Sequence, residues 1–269
     1  MTRLEQPELR PEGKMIRPFL SIVIPAYNEE ARLPATLDRI AEYLRQRDYR
    51  SEVIVVSDGS RDRTAGVAAR WRPDGFPLEV IDRKENRGKG YTVREGAGRA
   101  RGEYILFSDA DLSTPIEEVE KFFPRFREGF EVVIGSRSLK DSDIVVRQPW
   151  HRELMGRVFN GLVRFLAVPG VADTQCGFKC FTRRAAAEIF PRCRIEGFSF
   201  DVEILYLARK LDLPVKEVAV RWFNAPGSSV SPLRDSFLML VDILRIRAYS
   251  IGRAYRSPDP APDRRGPGG

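Results

Sequence analysis

Five short apolar runs, separated by segments of helical period, set the strongest limit on what this chain can fold into. They are LSIVIPA from Leu20, EVIVVSD from Glu52, LEVID from Leu78, EYILFSDAD from Glu103 and EVVIGSR from Glu131. After the first, Leu33, Leu37, Ile40, Ala41 and Leu44 fall on one helical stripe, while Glu42, Arg45 and Arg47 fall off it. Short apolar strands alternating with amphipathic helices predict βαβ units: an α/β fold with a mostly parallel, twisted sheet buried on both faces. In such sheets ligands bind beyond the carboxyl ends of the strands. Those ends read Pro25-Ala26-Tyr27-Asn28-Glu29-Glu30, Ser57-Asp58-Gly59-Ser60, Asp109-Ala110-Asp111 and Gly135-Ser136-Arg137. The first three carry carboxylates, which makes a merely capping role for all of them the weaker explanation.

Composition removes several chemistries. The chain of 269 residues has one histidine, His151, so most zinc sites and most histidine-based nucleophilic mechanisms are excluded. Carboxylates, Lys and Arg are left to do any catalysis. Cys176, Cys180 and Cys193 cannot all pair with one another and no secretory leader precedes them, which points to a reducing compartment and to inert, buried thiols. A net charge of +7 favours an anionic partner: nucleic acid, an anionic membrane or a phosphorylated small molecule. A basic nucleic-acid-binding protein is the remote alternative, because the chain has neither the basic-aromatic interleaving of single-strand binders nor a helix-turn-helix or zinc pattern. No apolar run reaches the roughly 18 residues that a membrane span needs.

Four segments are expected: a disordered leader at 1–17, a single catalytic domain at 18–230, an amphipathic helix at 231–256 and a disordered tail at 257–269. In the third, Phe237, Leu238, Leu240, Val241, Leu244, Ile246 and Tyr249 form an apolar stripe beside five arginines. Such a helix can lie in a headgroup layer, close the core, or do both. His151 precedes a helix carrying Leu154, Met155, Val158, Phe159, Leu162 and Leu166, where it reads as a capping or interfacial residue.

The D-A-D at 109–111 is the sharpest chemical signal. Two carboxylates one residue apart after a strand can both reach a hard divalent cation that bridges to substrate phosphates. The alternative is a helix start, since Ser113-Thr114-Pro115 precedes Ile116-Glu117-Glu118. In N-R-G-K-G at 86–90, Gly88 and Gly90 flank Lys89 where a helix begins, a candidate phosphate cradle that is neither a Walker A loop nor a dinucleotide fingerprint.

Taken in order, P-A-Y-N-E-E, S-D-G-S, D-R-T, N-R-G-K-G, D-A-D, G-S-R, D-T-Q-C-G-F-K at 173–179 and F-D-V-E at 200–203 resemble the family 2 inverting glycosyltransferases. Within these they resemble the branch of dolichyl-phosphate glucosyltransferases and dolichol-phosphate mannose synthases. The resemblance covers roughly residues 19–250 and implies a GT-A fold, a Rossmann-like sheet flanked by helices. It further implies that Pro25, Tyr27 and Glu29 lie in the nucleotide-binding loop, that Asp58 contacts the base or ribose, and that Lys89 lies near the donor phosphates. By the same resemblance Asp109 and Asp111 hold Mg²⁺ or Mn²⁺, with Asp109 also on the nucleotide. Arg137 and Lys179 would look toward phosphate, and Asp201 or Glu203 would lie near the acceptor, Asp201 being the candidate base.

The expected activity is transfer of a hexose from a nucleotide sugar to a polyprenyl phosphate. UDP-glucose is favoured over GDP-mannose because the T-Q-C-G-F-K region and the loop from Arg221 look closer to the glucosyltransferases. A soluble or polysaccharide acceptor is the alternative, and it would need a base such as Asp201. Many relatives carry transmembrane helices that this sequence lacks. The expectation is therefore a peripheral protein on the cytoplasmic membrane face that meets its lipid from the surface or through a membrane partner protein. Where relatives often have Lys, this chain has Ser229, leaving Arg221 or Arg234 as replacement phosphate contacts.

Overall fold

The structure is a computed structural model and describes residues 17–72, 75–144, 168–223, 232–252 and 254–256. The expected leader and tail fall almost wholly outside these residues, as do the helix after His151 and the loop containing Ser229.

The five apolar runs become five strands: β1 (Leu20–Ala26), β2 (Ser51–Asp58), β3 (Leu78–Arg83), β4 (Tyr104–Ser108) and β5 (Val132–Ser136). β1 pairs in parallel with β2 and β4, and β2 in parallel with β3. Every residue of β1 and β2 is buried, because helices cover both faces of the sheet. α1 (Leu33–Arg45) covers one face with the expected stripe, to which Thr36 and Tyr43 are added. Pro34 is tolerated in its first turn, where the missing N–H has no helical acceptor, and Arg45 suits its carboxyl end. On that face Leu33, Leu37 and Ile40 pack with Ile22, Ile24, Val53, Val55 and Phe178. Each such fully buried aliphatic side chain contributes about 1.5–3 kcal/mol.

The opposite face is covered by α3 (Lys89–Arg99), α5 (Arg183–Ile189), α6 (Phe200–Lys210) and α7 (Pro232–Ile251). α3 approaches the sheet closely through Gly96, where a Cβ would stand 2.4 Å from Val23 Cγ1. Two further short helices are described: α2 (Thr64–Arg70) and α4 (Phe123–Arg127), the latter preceded by a 3₁₀ turn at Ile116–Lys121.

Two strands of the main sheet were not among the expected five. The seven-stranded sheet has the order β3-β2-β1-β4-β7-β5-β8, with β7 (Phe178–Thr182) antiparallel to β4 and β5, and β8 (Val215–Ala219) parallel to β5. β7 is Phe-Lys-Cys-Phe-Thr, and the lysine at its second position breaks the apolar run that would mark a buried strand. The pleat sends Phe178 and Cys180 to the α1 face and Phe181 to the α6 face. A two-residue parallel ribbon, β6 (Asp143–Ile144) with β9 (Arg221–Trp222), stands apart from the main sheet.

α7 follows the expected helix but turns a different edge inward. Met239, Ile243 and Ile246 enter the core, while Leu238, Leu244 and Ile251 of the same helix remain exposed. The three cysteines are buried with free thiols.

Candidate active site

The carboxyl ends of β1 and β2 are stitched together by their loops. Asn28, in the left-handed region at φ 55, donates its N–H to Ser60 Oγ and accepts from Arg61 N with its side chain. Glu29 N donates to Thr64 Oγ1 at 2.7 Å, and Glu30 N to Asp62 Oδ2. Pro25 is buried at the next-to-last position of β1, Tyr27 remains exposed beyond the strand, and the Glu29 carboxylate takes both a 2.8 Å Nε and a 2.8 Å Nη2 bond from Arg32. The Arg32 charge also acts on Asp111, so α1 begins beside the acid pair.

Asp58 is almost fully buried and does not cap α2. It accepts from Arg87 N at 2.9 Å and Gly88 N at 2.8 Å and meets Arg83 Nη1 at 3.1 Å. The Glu196 carbonyl takes two further amides, Gly90 N at 2.7 Å and Tyr91 N at 3.3 Å. The cradle expected of backbone N–H groups at the start of α3 is therefore largely occupied by the protein's own acceptors. What α3 presents is the Lys89 side chain. Its ammonium lies 2.6 Å from Asp109 Oδ1. Burial works to lower the Lys89 pKa, but Asp109, Asp201 and Asp111 outweigh it and hold the amine charged, above its ordinary value.

Asp109 and Asp111 sit on the turn after β4. Asp111 Oδ1 accepts Ser113 N at 2.9 Å, and Leu112 takes a positive φ of 45°. The following helix is a 3₁₀ turn starting at Ile116 without a side-chain cap, so neither acid is spent as its N-cap. Asp109 N donates to Gly177 O at 3.0 Å, and a Cβ on Gly177 would stand 1.8 Å from Asp109 Oδ2. Only glycine leaves room for this carboxylate.

Behind the acid pair lies a second tier of charge. Lys179, wholly buried, donates to the Cys176 carbonyl at 2.5 Å and to Asp201 Oδ1. Lys179 thus stands behind Asp201 rather than at the mouth of the site. Burial raises the Asp201 pKa, with Lys179 and Lys89 opposing it. Glu203, the other acid of F-D-V-E, accepts Arg194 N at 2.8 Å, Ile195 N at 2.9 Å and the Tyr255 hydroxyl at 2.8 Å. It fixes the segment that ends in Glu196 and is committed to structure. Arg137 forms a two-point pair with Asp173, 2.7 Å from Nε and 2.8 Å from Nη2, and its guanidinium lies 5.5 Å from the Trp222 ring centre. Arg221 Nε bonds Glu118 Oε1 at 2.7 Å. The chain after Arg221 returns to the acid-pair turn, where Phe223 N donates to Ser113 O.

Mg²⁺-type ions are commonly held by one or two carboxylates together with substrate phosphates. Asp109 and Asp111 supply two, and no third His, Cys, Asp or Glu joins them among the described residues. These residues fit an ion that a diphosphate completes, and Asp109 Oδ1 already carries a cation, the Lys89 ammonium. Asp173, Gly177, Glu196 and Trp222 build the site without having announced a role in the sequence. Asp173 and Gly177 had a local signal, in D-T-Q-C-G-F-K at 173–179.

A mostly parallel seven-stranded sheet flanked by helices, with an acid pair, a lysine and cross-linked acidic loops at its carboxyl edge, is the arrangement of a GT-A glycosyltransferase. Residues 21–190 match the family described as glycosyl transferase family 2, and the chain belongs to that family. It is 41% identical over 247 residues to a dolichyl-phosphate beta-glucosyltransferase of Dictyostelium discoideum, covering 87% of this chain and 76% of that protein. The dolichyl-phosphate beta-glucosyltransferase of Homo sapiens is 39% identical over 250 residues, covering 88% and 77%. Among solved structures, glucosyl-3-phosphoglycerate synthase from Mycobacterium tuberculosis, in complex with Mn²⁺, UDP-glucose and phosphoglyceric acid, aligns with a TM-score of 0.60 at 20% identity over 90% of this chain and 81% of that one. Mannosyl-3-phosphoglycerate synthase from Rubrobacter xylanophilus aligns with a TM-score of 0.63 at 21% identity over 93% and 78%. The two solved structures speak for the fold. The sequence relatives are named for glucose, and they lend no support to the mannosyl alternative.

Proposed function

We propose that this chain transfers glucose from UDP-glucose to the phosphate of a dolichyl or other polyprenyl phosphate, with inversion at the anomeric carbon and with Mg²⁺ or Mn²⁺. The observation that carries the reading is the 39–41% identity, over nearly nine-tenths of the chain, to relatives named for that acceptor and that sugar. The site chemistry agrees with it. Pro25, Tyr27, Glu29 and Asp58 line the nucleotide side, Lys89 faces the donor phosphates, and Asp109 and Asp111 hold the metal. When bound, the cation supplies charge stabilisation to the departing diphosphate.

An acceptor phosphate monoester has a second pKa of about 6, so it arrives ionised at neutral pH and needs no base. Its oxygen forms the new bond to the anomeric carbon while the bond to the UDP oxygen breaks, its electron pair leaving on the diphosphate. Arg137, Lys179 and Arg221 place positive charge for the acceptor side, Lys179 acting through Asp201. The commitment of Asp201 to Lys179 supports this acceptor over a soluble hydroxyl, which would require a free base.

Membrane contact belongs to the same reading. Among the described residues no helix is long and apolar enough to cross a bilayer. α7 offers exposed Leu238, Leu244 and Ile251 with Arg245 and Arg247, which supports a peripheral position on the cytoplasmic face, alone or with a membrane partner protein. Nucleic acid has no place in it. The test is a panel of UDP- and GDP-sugars offered with a short polyprenyl phosphate, with and without Mn²⁺, and the lipid weighed by mass spectrometry. A hexose gain from UDP-glucose, lost on chelation, is expected. Transfer only to water-soluble acceptors would overturn the reading.

A further inference from the structure

We propose that Lys89 is an exchangeable counter-cation: it occupies Asp109 Oδ1 while the site lacks metal and yields that oxygen when a nucleoside diphosphate takes the ammonium, so that metal and nucleotide enter together. The inference rests on the donor and metal assignment above.

The geometry sets up a conflict. Lys89 Nζ lies 2.6 Å from Asp109 Oδ1, in a site where the lysine side chain is 25% exposed and the aspartate 31%. A divalent ion on the same oxygen would stand beside the ammonium, and like charges that close in a partly buried site repel strongly. The lysine backbone cannot retreat. Gly88 N is held by Asp58, and Gly90 N by Glu196 O. Gly88, at φ 99, has no room for even a Cβ, which would meet Glu196 O at 2.5 Å. Relief must come from the flexible four-carbon stem, and the stem needs another anion to reach for. A donor diphosphate provides one, and the charge of Asp201, which already acts on Lys89, helps keep the ammonium in the site. Two ligands that each relieve the other's obstacle bind cooperatively, and the coupling is reciprocal.

A lysine that only contacts phosphate would leave metal affinity unchanged in the absence of nucleotide. Exchange predicts the opposite. The full chain is titrated with Mn²⁺, and the free ion is followed by electron paramagnetic resonance, with and without UDP. The wild type is expected to bind Mn²⁺ weakly alone and at least about tenfold tighter with UDP. Lys89→Met is expected to bind Mn²⁺ alone about tenfold tighter than wild type, with the enhancement by UDP reduced by about the same factor. Lys89→Gln, which keeps a donor to Asp109 without the charge, serves if Lys89→Met does not fold. Arg32→Gln controls for general electrostatics, because Arg32 acts on Asp111 but is bonded to Glu29. Unchanged Mn²⁺ affinity in both Lys89 variants, or an equal rise in Arg32→Gln, overturns the exchange while leaving the donor assignment standing. A wild type that binds neither ligand in any combination overturns both.

Discussion

Lys179 and Asp201 form an ion pair between β7 and α6 in which the lysine has no solvent-exposed surface and the aspartate side chain is 7% exposed. Removing one partner strands the other as a buried charge. Lys179→Met and Asp201→Asn should each cost about 3–5 kcal/mol in urea unfolding. The double variant should recover a large part of that loss, since two neutral groups of similar shape leave no charge stranded. Transfer to polyprenyl phosphate tests the role of the acid. A general base contributes about 10²–10⁴-fold, so a loss in the double variant well under hundredfold is expected if Asp201 holds Lys179 and Lys89 in place. A larger loss with the fold intact would make Asp201 the base.

Gly177→Ala should uncouple fold from activity. The added methyl would stand 1.8 Å from Asp109 Oδ2, so the carboxylate, rather than the strand behind it, has to move. Displacing a reacting group by about 1 Å can cost on the order of 100-fold in rate. The expected outcome is a fall of that order in kcat with near-normal circular dichroism and a higher Mn²⁺ concentration for half-maximal activity. Unaltered turnover would mean that the Asp109 position is not needed.

Asp173 makes stability depend on acid in a defined window. Burial alone would raise its pKa, but the Arg137 guanidinium overrides this and holds it below the ordinary carboxylate value of 3.8. A depressed pKa means that the pair stabilises the fold above about pH 4, and that this contribution is lost as pH falls through the lower, folded-state pKa. The gap in unfolding free energy between wild type and Asp173→Asn should be constant from pH 7 to about 5 and shrink below about pH 4. Urea titrations at pH 7, 5, 4 and 3 measure it, and a gap that widens with acid would contradict the pairing.

The outer edge of α7 should govern membrane contact without touching the chemistry. Leu244 and Ile251 are 59% and 84% exposed. Leu244→Glu with Ile251→Glu removes apolar contact and adds negative charge, where each basic residue near an anionic surface contributes about 1 kcal/mol. Sedimentation with phosphatidylserine vesicles should fall at least about tenfold, while transfer to a short, dispersed prenyl phosphate stays near wild type. Equal vesicle binding by the double variant would remove α7 from the membrane reading.

The amino-acid sequence by itself determined the parallel α/β architecture, because apolar period is a local property. Five apolar runs and the stripe of α1 carry that information between near neighbours, and the D-A-D turn announces its chemistry from its place at the end of β4. It did not determine β7, where Lys179 disguises a buried strand, nor which edge of α7 faces inward. Tertiary structure decided those, and it decided what each charge does. Asp58 clamps amides 29 and 30 residues away, Lys179 meets Asp201 across 22 residues, and Arg137 meets Asp173 across 36. A buried charge is tolerated only with a partner, and these partners are brought by the fold from segments that share no local pattern.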